Sequence, residues 1–173
     1  MTVAQATLKA TTFYVVIQLF ALPWAVIFGI VLDRIDRLVG LAIGMSVAFV
    51  GYASLGMLDN PIGNGMYVAA AFVGAGEMAA NISATSLIGK EAPERGRGAV
   101  LGLFSLFGAV GIMVVGVVGG WLFVGAGWHS IFGFLALLSA LLWWAVWRAL
   151  PETLHATQRQ PVHVGPLLRG YWQ

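Results

Sequence analysis

Residues 98–147, GAVLGLFSLFGAVGIMVVGVVGGWLFVGAGWHSIFGFLALLSALLWWAVW, decide the fold because they contain no charged side chain. As a single helix they would be about 75 Å long, whereas the hydrocarbon core of a bilayer is about 30 Å thick. The stretch must therefore fold back once, and the glycine-rich residues 125–129, GAGWH, are the expected turn. The sequence predicts two membrane helices here, near residues 98–124 and 128–148.

The composition of the whole chain is that of a membrane protein. Of its 173 residues, 60% are hydrophobic and only 9% are charged, whereas about a quarter of the residues in a soluble domain are charged. The net charge of +2 gives no indication of nucleic-acid binding. The chain has no Cys, so disulfides and cysteine-ligated metals are excluded.

The remaining charges fall in clusters that separate three further segments of membrane length, near residues 10–32, 38–58 and 66–89. We therefore predict an all-α fold, a five-helix transmembrane bundle over residues 10–150. An extracytoplasmic N-terminus at residues 1–9 and a cytoplasmic polar tail at residues 151–173 are expected to flank it.

The distribution of Lys and Arg predicts the orientation, because positive residues are retained on the cytoplasmic side of a membrane. Along the chain, segments with one or no basic residue alternate with segments that contain two or three. Eight of the nine lie on the predicted cytoplasmic side: Arg34, Arg37, Lys90, Arg95, Arg97, Arg148, Arg159 and Arg169. The pattern places the N-terminus outside and the C-terminus inside a cell membrane, the inner or plasma membrane.

Small residues on the fourth helix form a stripe that is typical of helix packing in membranes, where they let two backbones approach closely. At 100° per residue the stripe contains Gly98, Gly102, Ser105, Ala109, Gly116 and Gly120. We predict that Gly98, Gly102, Gly116 and Gly120 pack inside the bundle. A specific dimerisation face is the alternative.

Glu77 is the most informative single residue because it lies about halfway along the third helix. An ionised carboxylate is strongly disfavoured there unless it is paired or hydrated. Asn81 follows one turn later, on the same face. The functional interpretation is a proton or substrate site, and Gln18 is the other polar group at this depth. The structural interpretation is a neutral acid that hydrogen-bonds a backbone carbonyl or Gln18.

Other motifs of enzymes and cofactors are absent or misplaced. The glycine pattern at residues 74–79, GAGEMA, lies inside a membrane segment with no preceding strand, which argues against dinucleotide binding. Zinc-protease and serine-hydrolase motifs are missing, and the three His are scattered. We expect no enzyme activity, cofactor, bound metal or nucleic-acid partner.

Several stretches together resemble the major facilitator superfamily of secondary transporters. Residues 29–37, GIVLDRIDR, are similar to the family's cytoplasmic G-x-L-x-D-R-x-x-R turn, with Asp36 in place of its usual second glycine. Residues 91–98, EAPERGRG, are similar to the P-x-x-R-G loop that enters the family's eleventh span. Residues 119–132 resemble its last hairpin, and residues 150–153, LPET, resemble the exit from one half.

The resemblance implies roles for these loops and for the third helix. That helix would correspond to a cavity-lining span, so that Glu77 and Asn81 face the transport path. The residues implied in the cytoplasmic gating loops are Gly29, Asp33, Arg34, Arg37, Glu94, Arg95 and Gly96. The alternative is that the charged residues 33–37 form a solvated loop and have no gating role.

The same order of motifs occurs in both halves of the family, and we favour the C-terminal half. Five helices, an outside N-terminus and no span after the tail match the eighth to twelfth spans of twelve. We therefore predict the C-terminal portion of a transporter that moves a small solute by alternating access, with Glu77 as the candidate group for proton coupling. Its expected partners are the lipid bilayer, the solute, and a complementary half or a second copy of the chain. The alternative is a small binding or assembly subunit derived from such a half, without transport of its own.

Overall fold

The computed structural model describes residues 3–32, 35–59 and 63–149, and within them the chain forms helices and no strand. A short 3-10 turn, Glu94–Gly96, precedes the fourth of five α-helices. The helices are α1 Val3–Leu32, α2 Arg37–Met57, α3 Asn64–Glu91, α4 Arg97–Ala126 and α5 Trp128–Ala149. The predicted all-α class is confirmed. Helix α1 begins earlier than expected, so residues 3–9 are helical, and the predicted tail at residues 151–173 lies outside the described residues.

The helix ends follow from local chemistry. Asp36 precedes α2 with extended backbone angles, and its Oδ1 accepts a hydrogen bond of 2.6 Å from the backbone N–H of Leu38. Such a bond satisfies one of the donors left free in the first turn of a helix. Helix α4 ends at Ala126, and the φ of 78° at the following Gly127 lies in the region that favours glycine. The chain therefore turns between α4 and α5 at Gly127, within residues 125–129.

Removal of the Asp36 side chain is expected to destabilise the protein. Asp36 is buried, with 2% of its surface exposed. Loss of an N-cap costs about 1 kcal/mol, so Asp36→Ala should lower the midpoint of thermal unfolding in detergent. Asp36→Asn keeps the capping oxygen and is expected to unfold close to the wild-type temperature. Equal midpoints for wild type and Asp36→Ala would show that the cap adds nothing.

Helix α3 lies at the centre of the packing. It contacts α2 most extensively and α1 next, while α5 packs on α2. Ten residues of α3 are buried, more than in any other described helix. The ring nitrogen Nε2 of His129, at the start of α5, lies 3.2 Å from the carbonyl oxygen of Leu58 and links α5 to the end of α2. Within the described chain, α3 therefore packs against α1, α2 and α4, while α5 joins the bundle through α2 and α4.

Glycines let α3 approach its neighbours at backbone distance. A Cβ at Gly44 of α2 would overlap backbone atoms of Ala79 and Ala80, and a Cβ at Gly76 of α3 would overlap backbone atoms of Ala48. A Cβ at Gly74 would likewise overlap the carbonyl of Ile17 in α1. In lipid such close contacts replace the hydrophobic drive that is missing between helices. The small residues that hold this bundle together are therefore on α2 and α3.

The structure differs from the expectation for α4. A Cβ at any of Gly98, Gly102, Gly116 and Gly120 would meet no atom within 4 Å, and all four residues are exposed. Gly119 is the only buried residue of α4, which packs mainly on α5 and little on α3. Small residues along one helix permit close packing, whereas the packing itself depends on which helix lies opposite. Within the described chain, these glycines do not provide the packing expected of them.

Four of the five helices are long and apolar enough to cross a membrane by themselves. The qualifying stretches in the described residues are Thr11–Val31, Arg37–Met57, Glu94–Ala126 and Trp128–Arg148. Helix α3 is long enough, at 28 residues, but its Gly, Ala, Ser and Thr residues together with Glu77 and Asn81 lower its hydropathy. A helix that packs among other helices needs less apolar surface than one that faces lipid, so its lower hydropathy is compatible with a crossing. That α3 crosses the membrane stays a prediction.

Candidate functional site

A polar cavity of about 300 Å³ opens between α1 and α3. Helix α1 contributes Gln18 to its wall and α3 contributes Glu77 and Asn81, so the cavity contains all three polar residues singled out from the sequence. The rest of the lining is apolar or small: Ile17, Ala21, Gly74 and Met78. The side chains of Gln18, Glu77 and Asn81 are exposed in the isolated chain. The structure thus brings together residues that are far apart in the sequence.

The close contact of the two helices fixes this geometry. Because Gly74 has no side chain, the backbone of α1 at Ile17 lies directly against α3. Gln18 is the next residue along α1, while Glu77 and Asn81 follow Gly74 at spacings of three and seven along α3, which keep them on adjacent faces of the helix. A bulkier residue at position 74 would therefore separate the two walls of the cavity.

The carboxylate of Glu77 has a partner on a third helix. The hydroxyl of Tyr52, on α2, donates a hydrogen bond to Oε1 of Glu77. Helices α2 and α3 run antiparallel with Gly51 against Val73 and Gly44 against Ala80, so Tyr52 reaches Glu77 from about one turn away. The sequence had suggested Gln18 or a backbone carbonyl as the partner. Tyr52 is instead the partner, and the carboxylate oxygen acts as the acceptor.

Two larger clefts in the described chain are mainly apolar. One, of about 650 Å³, lies between α2 and α5 and includes Trp143 and Trp147. The other, of about 380 Å³, lies between α1, α2 and α3 and is lined by aromatic residues such as Phe20 and Trp24. Binding sites combine an apolar wall with a few convergent polar groups. The smaller cavity at Glu77 fits this description better than the larger clefts.

A second polar cluster lies at the end of the bundle that carries Arg37, Lys90, Arg95 and Arg97, called here the basic end. Nε of Arg37, the first residue of α2, donates a hydrogen bond of 2.6 Å to Oγ of Ser86 on α3. This bond joins the first turn of α2 to the last third of α3. Of the predicted gating residues, Arg37 therefore makes a contact between helices.

The other predicted gating residues that the structure describes are not brought into this contact. Gly29 lies on α1 with nothing within 4 Å of the position of a Cβ. Glu94, Arg95 and Gly96 form the 3-10 turn before α4, and the side chains of Glu94 and Arg95 are exposed. Asp33 and Arg34 lie outside the described residues. A gating role for these residues stays a prediction.

The contact between Arg37 and Ser86 is expected to couple the two helices energetically. Arg37→Ala and Ser86→Ala should each lower the free energy of unfolding, and the double variant should lose less than the sum. A hydrogen bond of this kind contributes about 0.5–1.5 kcal/mol, which a double-mutant cycle on detergent unfolding curves resolves. Strictly additive losses would mean that the two side chains do not interact in the protein.

Sequence reasoning missed Tyr52 and Ser86. A signal for Tyr52 was present, because a phenol hydroxyl several residues inside an apolar helix needs a partner when it is buried. The partner itself depends on the register of α2 against α3, which only the packing at Gly44, Gly51 and Gly76 determines. Ser86 carried no signal, since serines are common on helices of this kind.

The helices and their polar cavity together define a polytopic α-helical membrane protein. The family model of the Major Facilitator Superfamily matches residues 1–172 of the 173-residue chain. The chain belongs to this superfamily, which confirms the family resemblance found in the sequence. No curated protein and no solved structure matches the chain. Membrane association, transport and a helical multi-pass architecture follow from the family and the four apolar helices.

Proposed function

We propose that the chain forms the C-terminal portion of a secondary transporter that moves a small solute by alternating access. The observation that supports this most strongly is the convergence of Glu77, Asn81 and Gln18 on one cavity. Ionisable groups at membrane depth face a bundle interior or an aqueous cavity and mark ion or substrate pathways. In this proposal the cavity is part of the transport path and the role is not enzymatic.

Glu77 is the proposed site of proton coupling. It is the only ionisable group among the described residues that line the cavity. In a low-dielectric surrounding, a carboxylate that is charged and unpaired is strongly disfavoured. Such a group is stable when it carries either a proton or a bound cation. Binding of a proton and binding of a cationic or polar solute at this carboxylate would then compete, which is a simple means of coupling the two fluxes.

The five described helices are proposed to need further helices for transport. Alternating access moves one repeat or bundle against another around a site at their interface. Here α4 exposes nearly its whole length, including its stripe of small residues. We propose that a complementary half covers this face, with the N-terminus outside and the C-terminus inside the cell membrane. A second copy of the chain is the alternative occupant.

Reconstitution tests the proposal. The tagged chain is purified from its native membrane with whatever accompanies it, and is reconstituted either in that form or stripped of companions. Liposomes filled with the pH dye pyranine are then exposed to a panel of amines, sugars and carboxylates. We expect a solute-dependent pH change only with the companion present. Saturable uptake by the stripped chain would contradict its dependence on further helices.

The same experiment addresses the rival function, a binding or assembly subunit without transport. The exposed face of α4 favours association with another membrane protein in either case. A stable companion complex that produces no pH change and no uptake with any solute of the panel would favour the assembly subunit. Solute-driven proton movement that is lost with the Glu77 carboxylate would favour the transporter.

A further inference from the structure

Tyr52 stands apart from the other polar residues near the cavity because it approaches Glu77 from outside the cavity wall. It lies on α2, whereas the residues that line the cavity belong to α1 and α3. Its ring packs against the buried cluster formed by Leu55, Met66, Ala69 and Val73. The ring is therefore held by apolar packing while its hydroxyl is directed at Oε1 of Glu77.

A phenol that donates to a carboxyl group favours the ionised form of that group. Hydrogen bonds to an ionised acceptor are shorter and roughly twice as strong as those between neutral groups. The groups that α1 and α3 present to the cavity beside Glu77 are the amides of Gln18 and Asn81, which carry no charge. Tyr14 lies one turn before Gln18 on α1 and does not line the cavity. Among the described residues, Tyr52 is the side chain of a neighbouring helix that is seen to donate a hydrogen bond to Glu77.

We propose that Tyr52 is a positioning residue that holds one oxygen of the ionised Glu77 carboxylate against α2. When a proton or a bound cation neutralises the carboxylate, this hydrogen bond weakens and the Glu77 side chain is freed to turn into the cavity. The inference rests on the proposed role of Glu77 as the coupling group. It adds that the charge of Glu77 determines the strength of a hydrogen bond to α2, a helix that does not itself line the cavity.

Modification by dicyclohexylcarbodiimide tests this inference without any transport measurement. The reagent attacks protonated carboxyl groups in apolar surroundings, and mass spectrometry of peptides separates Glu77 from the other acidic residues. At a fixed pH of about 7, Tyr52→Phe in lipid nanodiscs is expected to be modified at Glu77 about tenfold faster than wild type. A tenfold ratio corresponds to about 1.4 kcal/mol, close to the lower end of the contribution of a hydrogen bond to a charged group.

Two variants serve as controls. Tyr14→Phe removes a phenol hydroxyl from an exposed tyrosine of α1 and should leave the rate at Glu77 unchanged. Glu77→Gln should abolish modification of the α3 peptide and so confirm the assignment. Circular dichroism and the elution volume establish that Tyr52→Phe is folded, since the ring that packs against the buried cluster is retained.

Infrared spectroscopy gives a readout that does not depend on the folding of Tyr52→Phe. In the otherwise unchanged protein with isotope-labelled tyrosine, Glu77→Gln is expected to shift the C–O stretch of one phenol, that of Tyr52. Equal modification rates in folded Tyr52→Phe and wild type, or no change of that band, would overturn the inference. If transport is absent but Glu77 is modified faster in Tyr52→Phe than in wild type, the result counts against the proposed function alone. If transport is present but the two modification rates are equal, the result counts against the inference alone.

Discussion

Gly76→Leu is expected to prevent most of the protein molecules from reaching their folded state in the membrane. Any side chain at this position would overlap the backbone of Ala48, so α2 and α3 must move apart. Forcing extra volume into packed interiors costs typically about 1–3 kcal/mol. Here the obstacle is backbone, which cannot rotate away, and the loss should reach or exceed the upper value. The measurement is the yield of monodisperse protein after detergent extraction and mild heating.

A matched substitution on α4 provides the control. Gly108 also lies in the middle of a long apolar helix, but a Cβ there would meet no atom within 4 Å. Gly108→Leu is therefore expected to give the same yield and the same unfolding midpoint as wild type. If both variants were equally stable, the close approach of α2 and α3 would be wrong.

Glu77→Gln is expected to cause the largest loss of function. The amide keeps the size of the carboxyl group and its ability to accept a hydrogen bond from Tyr52, but it cannot bind or release a proton. In the reconstituted complex, solute accumulation driven by a pH gradient should fall at least about tenfold, a change of about 1.4 kcal/mol or more in the coupling. The measurement is solute uptake with and without an imposed gradient.

Glu91→Gln is the corresponding control, because it makes the same chemical change on the same helix. Glu91 is the last residue of α3 and is exposed, far from the cavity. Its variant should accumulate solute at the wild-type level. Unchanged uptake and pH dependence in Glu77→Gln would remove the case for proton coupling at this site and leave the structural interpretation of the residue.

The number and type of the helices could be predicted from sequence because the clusters of charged residues delimit apolar segments of membrane length. The charge-free residues 98–147 had to fold back, and the structure turns at Gly127, where a φ of 78° suits glycine. The helix bounds lie within two residues of the predicted ones except at the start of α1. There, no proline or glycine interrupts residues 3–9, so the helix simply continues outward.

The packing of the helices could not be predicted in the same way. Small residues occur on both α2 and α4 at helical spacing, and the more regular stripe, that of α4, is the one left exposed. Spacing shows that a face permits close approach, but it does not show which helix approaches it. The contact of Gly44 and Gly76 with opposing backbones depends on the antiparallel register of α2 and α3, which is a property of the pair.

The candidate site was predictable in its composition and not in its surroundings. Glu77 and Gln18 were conspicuous because polar groups at membrane depth are rare, and the structure places both in one cavity with Asn81. Tyr52 escaped notice because a tyrosine in an apolar helix is also an ordinary packing residue. Its hydroxyl contacts Glu77 because of the register in which α2 packs against α3. That register cannot be read from the sequence of either helix alone.

The most direct test of this account asks whether α3 crosses the membrane, since the position of Glu77 depends on that crossing. The chain has no Cys, so single cysteines at the exposed positions Asp59, Glu94 and Ala126 report only their own location. In intact cells, a membrane-impermeant maleimide should label Asp59→Cys and Ala126→Cys from outside, and Glu94→Cys only after permeabilisation. Labelling of Asp59→Cys and Glu94→Cys from the same side would contradict the account.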